Sequence, residues 1–154
     1  MKHVLFVGKE NNCRSLLAES ILKDKLAGEN LSENIHVNSA GTFQWQNKEA
    51  ADQTVAAVLK EHGLPTEGLH SKQLERRNLE SADYIISLDR EVQKDLEKMA
   101  RSSAHSAHYY LLLELIHSYT LDVPNPYYTK DYDEAYRLIN EGCKALLDKI
   151  KETS

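Results

Sequence analysis

The sequence has few cysteines, few prolines and no long apolar run. Its two cysteines, Cys13 and Cys143, are too few for a disulfide framework, and no Cys-x-x-Cys pair exists for zinc. No apolar run approaches the roughly 18 residues that a transmembrane helix needs, and the first residues lack the apolar segment of a signal peptide. We therefore expect a cytoplasmic protein with reduced thiols, without a membrane span, a metal or a cofactor.

An excess of positive charge is also missing. The chain of 154 residues has a formal net charge of -5 at pH 7 with its histidines neutral, which argues against nucleic acid or an anionic membrane as the main partner. The length favours one domain over residues 1–154. The oligomeric state is not predicted by any of these features.

Apolar strand patterns alternate with amphipathic helix patterns along the chain. The predicted strands are His3–Val7, Ile35–Ser39, Tyr84–Leu88 and Tyr109–Leu113, and for the last of these a helix is not excluded. The predicted helices cover Leu16–Leu26 with Gly28 as a stop, Ala50–His62 with Gly63 after it, Val92–Met99, and Tyr132–Lys151. Residues Ala40 to Thr42 are predicted to form a turn, and the segment with Pro124 and Pro126 is predicted to be irregular. This order predicts an α/β fold, with a parallel sheet and helices on both faces.

The stretch "VLFVGKENNCRS" connects the first predicted strand to the first predicted helix. Ligands in parallel α/β sheets bind beyond the carboxyl ends of the strands, where this turn lies. Its backbone N–H groups, the helix start and the Arg14 guanidinium can together hold an anion. Asn11 tolerates a left-handed backbone, and Ser15 is predicted to cap the helix. The alternative is a strand–helix turn that carries a surface arginine. The spacing of a Walker A loop is absent.

With these residues the chain resembles the low-molecular-weight protein tyrosine phosphatase family, whose loop reads Cys-x5-Arg-Ser directly after the first strand. The register is fixed by Asn11, Cys13, Arg14, Ser15, Ala18 and Glu19. Further matches are Ser39-Ala40-Gly41-Thr42 with Trp45, Ala51-Asp52, Ser81–Leu96 and Asp122–Tyr128. The resemblance covers nearly the whole chain and implies a four-stranded parallel sheet with helices on both faces, a Rossmann-like three-layer arrangement.

The resemblance also implies a site. The anion-binding loop would comprise Lys9, Glu10, Asn11, Asn12, Cys13, Arg14 and Ser15, with Arg14 contacting the transition state. The pocket wall would comprise Trp45, Tyr127 and Tyr128, which match positions that flank the family's pocket and can embrace an aromatic ring. No metal or cofactor is implied.

The departures from the family pattern decide the functional prediction. The family's nucleophilic cysteine falls on Gly8, which has no side chain, and the family's general acid falls on Asn125, whose amide cannot protonate a leaving phenolate. The family's loop glycine falls on Glu10, and its proline after Arg-Ser falls on Leu16. We therefore predict a catalytically impaired member, a pseudophosphatase, that binds a phosphotyrosyl or phosphate-type anion or a protein partner.

Two other interpretations stay open. An active aryl phosphate hydrolase would need a non-standard nucleophile; Cys13 lacks an arginine six residues later, where Glu19 stands, and Ser15 has no evident paired base. A scaffold with a vestigial pocket would use only its surface. An arsenate reductase needs a nucleophilic cysteine and a redox pair, which two cysteines with Cys143 on an apolar stripe do not provide.

Overall fold

The structure is a computed structural model that describes residues 1–11, 13–42, 53–66, 68–100 and 107–153. Its strands are β1 (Lys2–Gly8), β2 (Ile35–Gly41), β3 (Tyr84–Ser87) and β4 (His108–Leu111). Its α-helices are α1 (Arg14–Gly28), α2 (Gln53–Glu61), α3 (Arg76–Ser81), α4 (Arg90–Ala100), α5 (Pro126–Thr129) and α6 (Tyr132–Thr153), and a 3-10 helix covers Leu112–Leu115. No helix among these described segments is long and apolar enough to cross a membrane.

The four strands form one parallel sheet in the order β2-β1-β3-β4. Strand β1 is central and covered on both faces, which explains its continuous apolar run. Val4 and Phe6 pack into the core against α1, α2 and α6. Leu5 and Val7 pack into a second core against α3 and α4. The predicted fold class is therefore confirmed.

Four details of the sequence prediction are corrected by the structure. Strand β2 does not turn at Ala40, because it pairs with β1 as far as the Gly8–Gly41 register. The fourth strand ends at Leu111, and Leu112 already begins the 3-10 helix. Helix α3 was not predicted, and the segment after Pro124 contains the short helix α5. Residues 50–52 of the second predicted helix lie outside the described residues.

Candidate functional site

The loop after β1 is fixed by the Asn11 side chain. Asn11 is buried and has a left-handed backbone with φ of 53°, as the sequence predicts. Its Oδ1 accepts a hydrogen bond of 2.7 Å from the Lys72 backbone N–H, and its Nδ2 donates one of 2.7 Å to Ser15 Oγ. The same side chain thus connects the loop to the segment before α3 and to the first turn of α1.

A close backbone approach holds the loop against the end of β2. A Cβ atom at Gly41 would lie 2.8 Å from the Lys9 carbonyl oxygen, 2.9 Å from the Glu10 carbonyl carbon and 3.0 Å from the Asn11 nitrogen. All three neighbours are backbone atoms, so they cannot move aside as a flexible side chain would. The absence of a side chain at Gly41 lets the loop lie where it does.

The prediction that Ser15 caps α1 is wrong. The N-cap residue is Cys13, which makes no side-chain capping hydrogen bond, and Ser15 is already the second residue of the helix. The Ser15 hydroxyl instead accepts the Asn11 hydrogen bond. Its position inside the first turn is what brings it beneath the loop.

The Arg14 side chain is mostly buried and held by two acceptors. Its Nη1 lies 2.7 Å from the Val123 carbonyl oxygen and 3.1 Å from Asp89 Oδ2. The other carboxylate oxygen of Asp89 accepts a 2.8 Å hydrogen bond from the Val92 N–H at the start of α4. Asp89 therefore orients the guanidinium and caps a helix at once.

Sequence reasoning missed Asp89 as a residue of the site. The signal was available, because Asp89 follows β3, and the ends of neighbouring parallel strands lie at the same edge of a sheet. Val7 pairs with Ser87 in the register of β1 and β3, which sets Asp89 beside the loop.

A pocket of about 250 Å³ opens above this loop. It brings together most of the residues that the sequence singled out with two acidic residues that it did not. The lining consists of Gly8, Lys9, Glu10, Asn11, Cys13, Arg14, Ser15, Asp89, Glu91, Asn125 and Tyr128. Tyr128 is 76% exposed, so it stands at the mouth. Asn12, Trp45 and the side chain of Tyr127 lie outside the described residues.

The charges of the lining nearly balance, with two cations and three carboxylates. Lys9 Nζ lies 2.8 Å from Glu91 Oε1 in an exposed ion pair, and the Glu91 carboxylate raises the pKa of Lys9. Arg14 is paired with Asp89. Glu10, half-buried, is the third carboxylate of the lining.

Asp122, which precedes the Val123 whose carbonyl oxygen holds Arg14, is paired with Arg90. Its carboxylate lies 3.2 Å from Arg90 Nε and 3.0 Å from Nη2, and it accepts a 2.8 Å hydrogen bond from the Arg90 backbone N–H. This pairing lowers the pKa of Asp122. It anchors the segment before Asn125 to the start of α4.

The two cysteines have different environments. Cys143 is fully buried on α6, as its place on the apolar stripe predicts, and burial raises the pKa of its thiol to about 12. Such a thiol is not a nucleophile at neutral pH. Cys13 is half-buried and lines the pocket.

Comparison with known proteins then decides the family. The family model for low molecular weight phosphotyrosine protein phosphatase matches residues 3–154. The chain belongs to this family. YfkJ, a low molecular weight protein-tyrosine-phosphatase of Bacillus subtilis, is 35% identical over 153 residues, which cover 99% of this chain and 97% of YfkJ. PtpA of Staphylococcus saprophyticus, another low molecular weight protein-tyrosine-phosphatase, is 33% identical over 96% of this chain and 92% of its own.

Two solved structures have the same fold as this chain. The crystal structure of Bacillus subtilis YfkJ superimposes with a TM-score of 0.93 at 34% identity, over 100% of this chain and 97% of YfkJ. That of DARP, a Drosophila arginine phosphatase, superimposes with a TM-score of 0.89 at 31% identity, over 98% of each chain. The resemblance stated from the sequence is therefore confirmed, and so is the Rossmann-like fold.

Proposed function

We propose that this member of the low molecular weight phosphatase family binds a phosphate-type anion, such as a phosphotyrosyl group, without efficient turnover. The observation that carries the proposal is the position of Gly8. It lies at the end of β1 and lines the pocket together with Arg14, where the family pattern has its nucleophilic cysteine. A residue without a side chain offers no atom to form a covalent phosphoryl intermediate.

The second loss supports the same proposal. Asn125 lines the pocket and stands where the family pattern has its acid. Its amide nitrogen cannot give up a proton at neutral pH, so the leaving phenolate would depart without general-acid help, which contributes typically about 10²–10⁴-fold.

Among the described residues that line the pocket, Ser15 is not an evident replacement for the nucleophile. Ser15 lines the pocket, yet within the described residues its hydroxyl has no carboxylate or imidazole as hydrogen-bond partner. A serine without a paired base is a weak nucleophile. Cys13 remains the candidate for an active enzyme, which makes Cys13→Ala a necessary variant in any activity assay.

In this proposal the pocket still binds an anion although Gly8 replaces the family's cysteine. Arg14 is held in place by Asp89 and Val123 through Nη1, and a guanidinium has further donors that match phosphate oxygens. The pocket also lies at the start of the fifteen-residue helix α1, whose first N–H groups favour an anion. Glu10 opposes this attraction with one negative charge.

Thermal unfolding and an aryl phosphate assay test the proposal together. We expect phosphate and a phosphotyrosine peptide to raise the unfolding temperature, and nitrophenyl phosphate to release no nitrophenol above background. Phosphoarginine is a third probe, because DARP is an arginine phosphatase. Arg14→Ala should abolish the shift, whereas Arg137→Ala, which removes an exposed arginine of α6, should preserve it.

Two results would contradict the proposal. Turnover that disappears in Cys13→Ala or Ser15→Ala would mean an active phosphatase with a relocated nucleophile. Binding of none of the three probes would mean a vestigial pocket on a scaffold. A cytoplasmic location and a phosphotyrosine-containing protein as partner stay predictions.

A further inference from the structure

The orientation of the Asn11 amide follows from its two hydrogen bonds. The Lys72 backbone N–H can only donate, so the atom that faces it must be the carbonyl oxygen Oδ1. The amide nitrogen Nδ2 therefore faces Ser15 Oγ, 2.7 Å away, and must be the donor of that bond.

This orientation determines the role of the Ser15 hydroxyl. Because Oγ accepts from Asn11, its own proton remains to be donated to another atom. No residue of the described segments accepts that proton, although Ser15 is only 1% exposed. A buried hydroxyl proton without an acceptor is costly, so a ligand or solvent oxygen is the natural partner.

The space next to this hydroxyl is the one that Gly8 leaves open. A Cβ atom at position 8 would lie 3.2 Å from Ser15 Oγ and 3.4 Å from Ser15 Cβ. Gly8 and Ser15 both line the pocket, so the space communicates with it. A ligand oxygen cannot lie at the Cβ position itself, about 1.5 Å from the Gly8 Cα. It can lie beyond that position on the pocket side, where a side chain at position 8 would otherwise extend and where Ser15 Oγ is the nearest described neighbour.

We propose that the space at Gly8 is an oxygen subsite, in which a bound oxyanion places one oxygen that accepts the Ser15 hydroxyl proton. The family's sulfur position would thus have become part of a binding site instead of a catalytic one. This inference rests on the proposed function, because it needs an anion in the pocket. It assigns to Gly8 and Ser15 a role in affinity that neither residue has in turnover.

Calorimetric titration with inorganic phosphate tests the subsite directly. Gly8→Ala places a methyl group in the space and keeps both partners of the Asn11–Ser15 hydrogen bond, and we expect its Kd to rise roughly tenfold, as for loss of one hydrogen bond to a charged group. Ser15→Ala removes the donor and should weaken phosphate at least as much. Because both variants remove the same contact, the double variant should lose no more than the weaker-binding single variant.

A matched control separates loss of the subsite from general destabilisation. Ser20 lies on the same helix, is equally buried, and donates to the Pro65 carbonyl oxygen over 2.8 Å. Ser20→Ala removes a buried hydroxyl outside the pocket lining, so it should lower the unfolding temperature and leave the Kd for phosphate unchanged.

The outcomes distinguish the subsite from the proposed function. Phosphate binding by Gly8→Ala as tight as by the unaltered chain, with binding lost in Arg14→Ala, would overturn the subsite and leave the proposed function standing. Additive losses in the double variant would also overturn it. Failure of the unaltered chain to bind phosphate would overturn both.

Discussion

Arg14 and Asp89 form a mostly buried ion pair across the carboxyl edge of the sheet, with Nη1 3.1 Å from Oδ2. Their side chains are 11% and 14% exposed. Arg14 begins α1, whereas Asp89 caps α4, so the pair connects the two layers that cover β1 and β3. The guanidinium that would bind an anion is therefore also a structural link.

Asp89→Asn should lower the stability of the protein. The asparagine oxygen can still accept from the Val92 N–H, which turns its amide nitrogen toward Arg14, donor against donor. We expect the free energy of unfolding to fall by about 1–3 kcal/mol, as for other lost hydrogen bonds to charged groups. Urea denaturation measures it. Glu141→Gln breaks the exposed pair with Arg137 and should cost at most about 1 kcal/mol; equal losses in both variants would contradict the structural role of Asp89.

Gly41→Ala should displace the loop after β1. Its Cβ would meet the backbone of Lys9, Glu10 and Asn11 at 2.8–3.0 Å. We expect a loss of about 1–3 kcal/mol in the free energy of unfolding, together with weaker phosphate binding. Gly28→Ala is the control, since a Cβ there would have no neighbour within 4 Å in the part of the chain that the structure describes. Unchanged phosphate affinity in Gly41→Ala would show that the loop's place against β2 does not matter for binding.

Glu10→Gln should strengthen anion binding. The substitution removes one of three carboxylates from the pocket lining while keeping nearly the same volume. Because one charge near a bound anion is worth about 1 kcal/mol in water and more in a partly buried site, we expect the Kd for phosphate to fall severalfold at low ionic strength. Glu97→Gln makes the same charge change on α4, outside this lining. An equal fall of the Kd in both variants would show that the effect comes from the net charge of the protein and not from the position of Glu10.

Gly8→Cys combined with Asn125→Asp should restore part of the chemistry. Among the described residues the new Cβ would meet only Ser15, at 3.2 Å from Oγ, so a shift of a few tenths of an ångström accommodates it. We expect nitrophenyl phosphate hydrolysis at least about 100-fold above that of the unaltered chain, the smallest contribution usual for a general acid. Gly8→Ala with Asn125→Asp lacks only the sulfur and should stay inactive. Complete inactivity of the cysteine variant would show that Glu10 or the loop shape also prevents catalysis.

The pKa of Asp122 should lie below its usual value of 3.8, because Arg90 donates to its carboxylate. A lowered pKa in the folded state means that the pair stabilises the protein above about pH 4 and that this stability is lost as the pH falls further. NMR titration of the Asp122 carboxyl group in the unaltered chain and in Arg90→Gln measures the shift. The pKa should rise in the variant; an unchanged value would assign the shift to another group.

Much of the fold could be predicted because its signals are local. The apolar run of β1 reflects burial on both faces, and the stripe of α6 reflects burial on one. Helix α3 was not predicted because only one of its six residues, Leu79, is buried. A single apolar residue shows no helical periodicity in the sequence. The end of β2 was predicted wrongly because small residues such as Ala40 and Gly41 are typical of turns. Their pairing with β1, which the sequence does not show, makes them part of the strand.

Part of the candidate site could also be predicted from local sequence, and part of it could not. Arg14 and the loop were predictable, because a polar turn between a buried strand and a helix is a local pattern. The Asp89 partner depends on the pairing of β1 with β3, which is a relationship between distant segments. The Ser15 hydroxyl was assigned to the wrong hydrogen bond because the helix starts at Arg14, one residue before it.

Phosphorus NMR of an equimolar mixture of the unaltered protein and a phosphotyrosine peptide tests binding and turnover in one sample. We expect the phosphoester resonance to shift or broaden on addition of protein, to regain its free position with Arg14→Ala, and to keep its full intensity over hours. A growing resonance of inorganic phosphate, in protein free of contaminating phosphatase, would contradict the account.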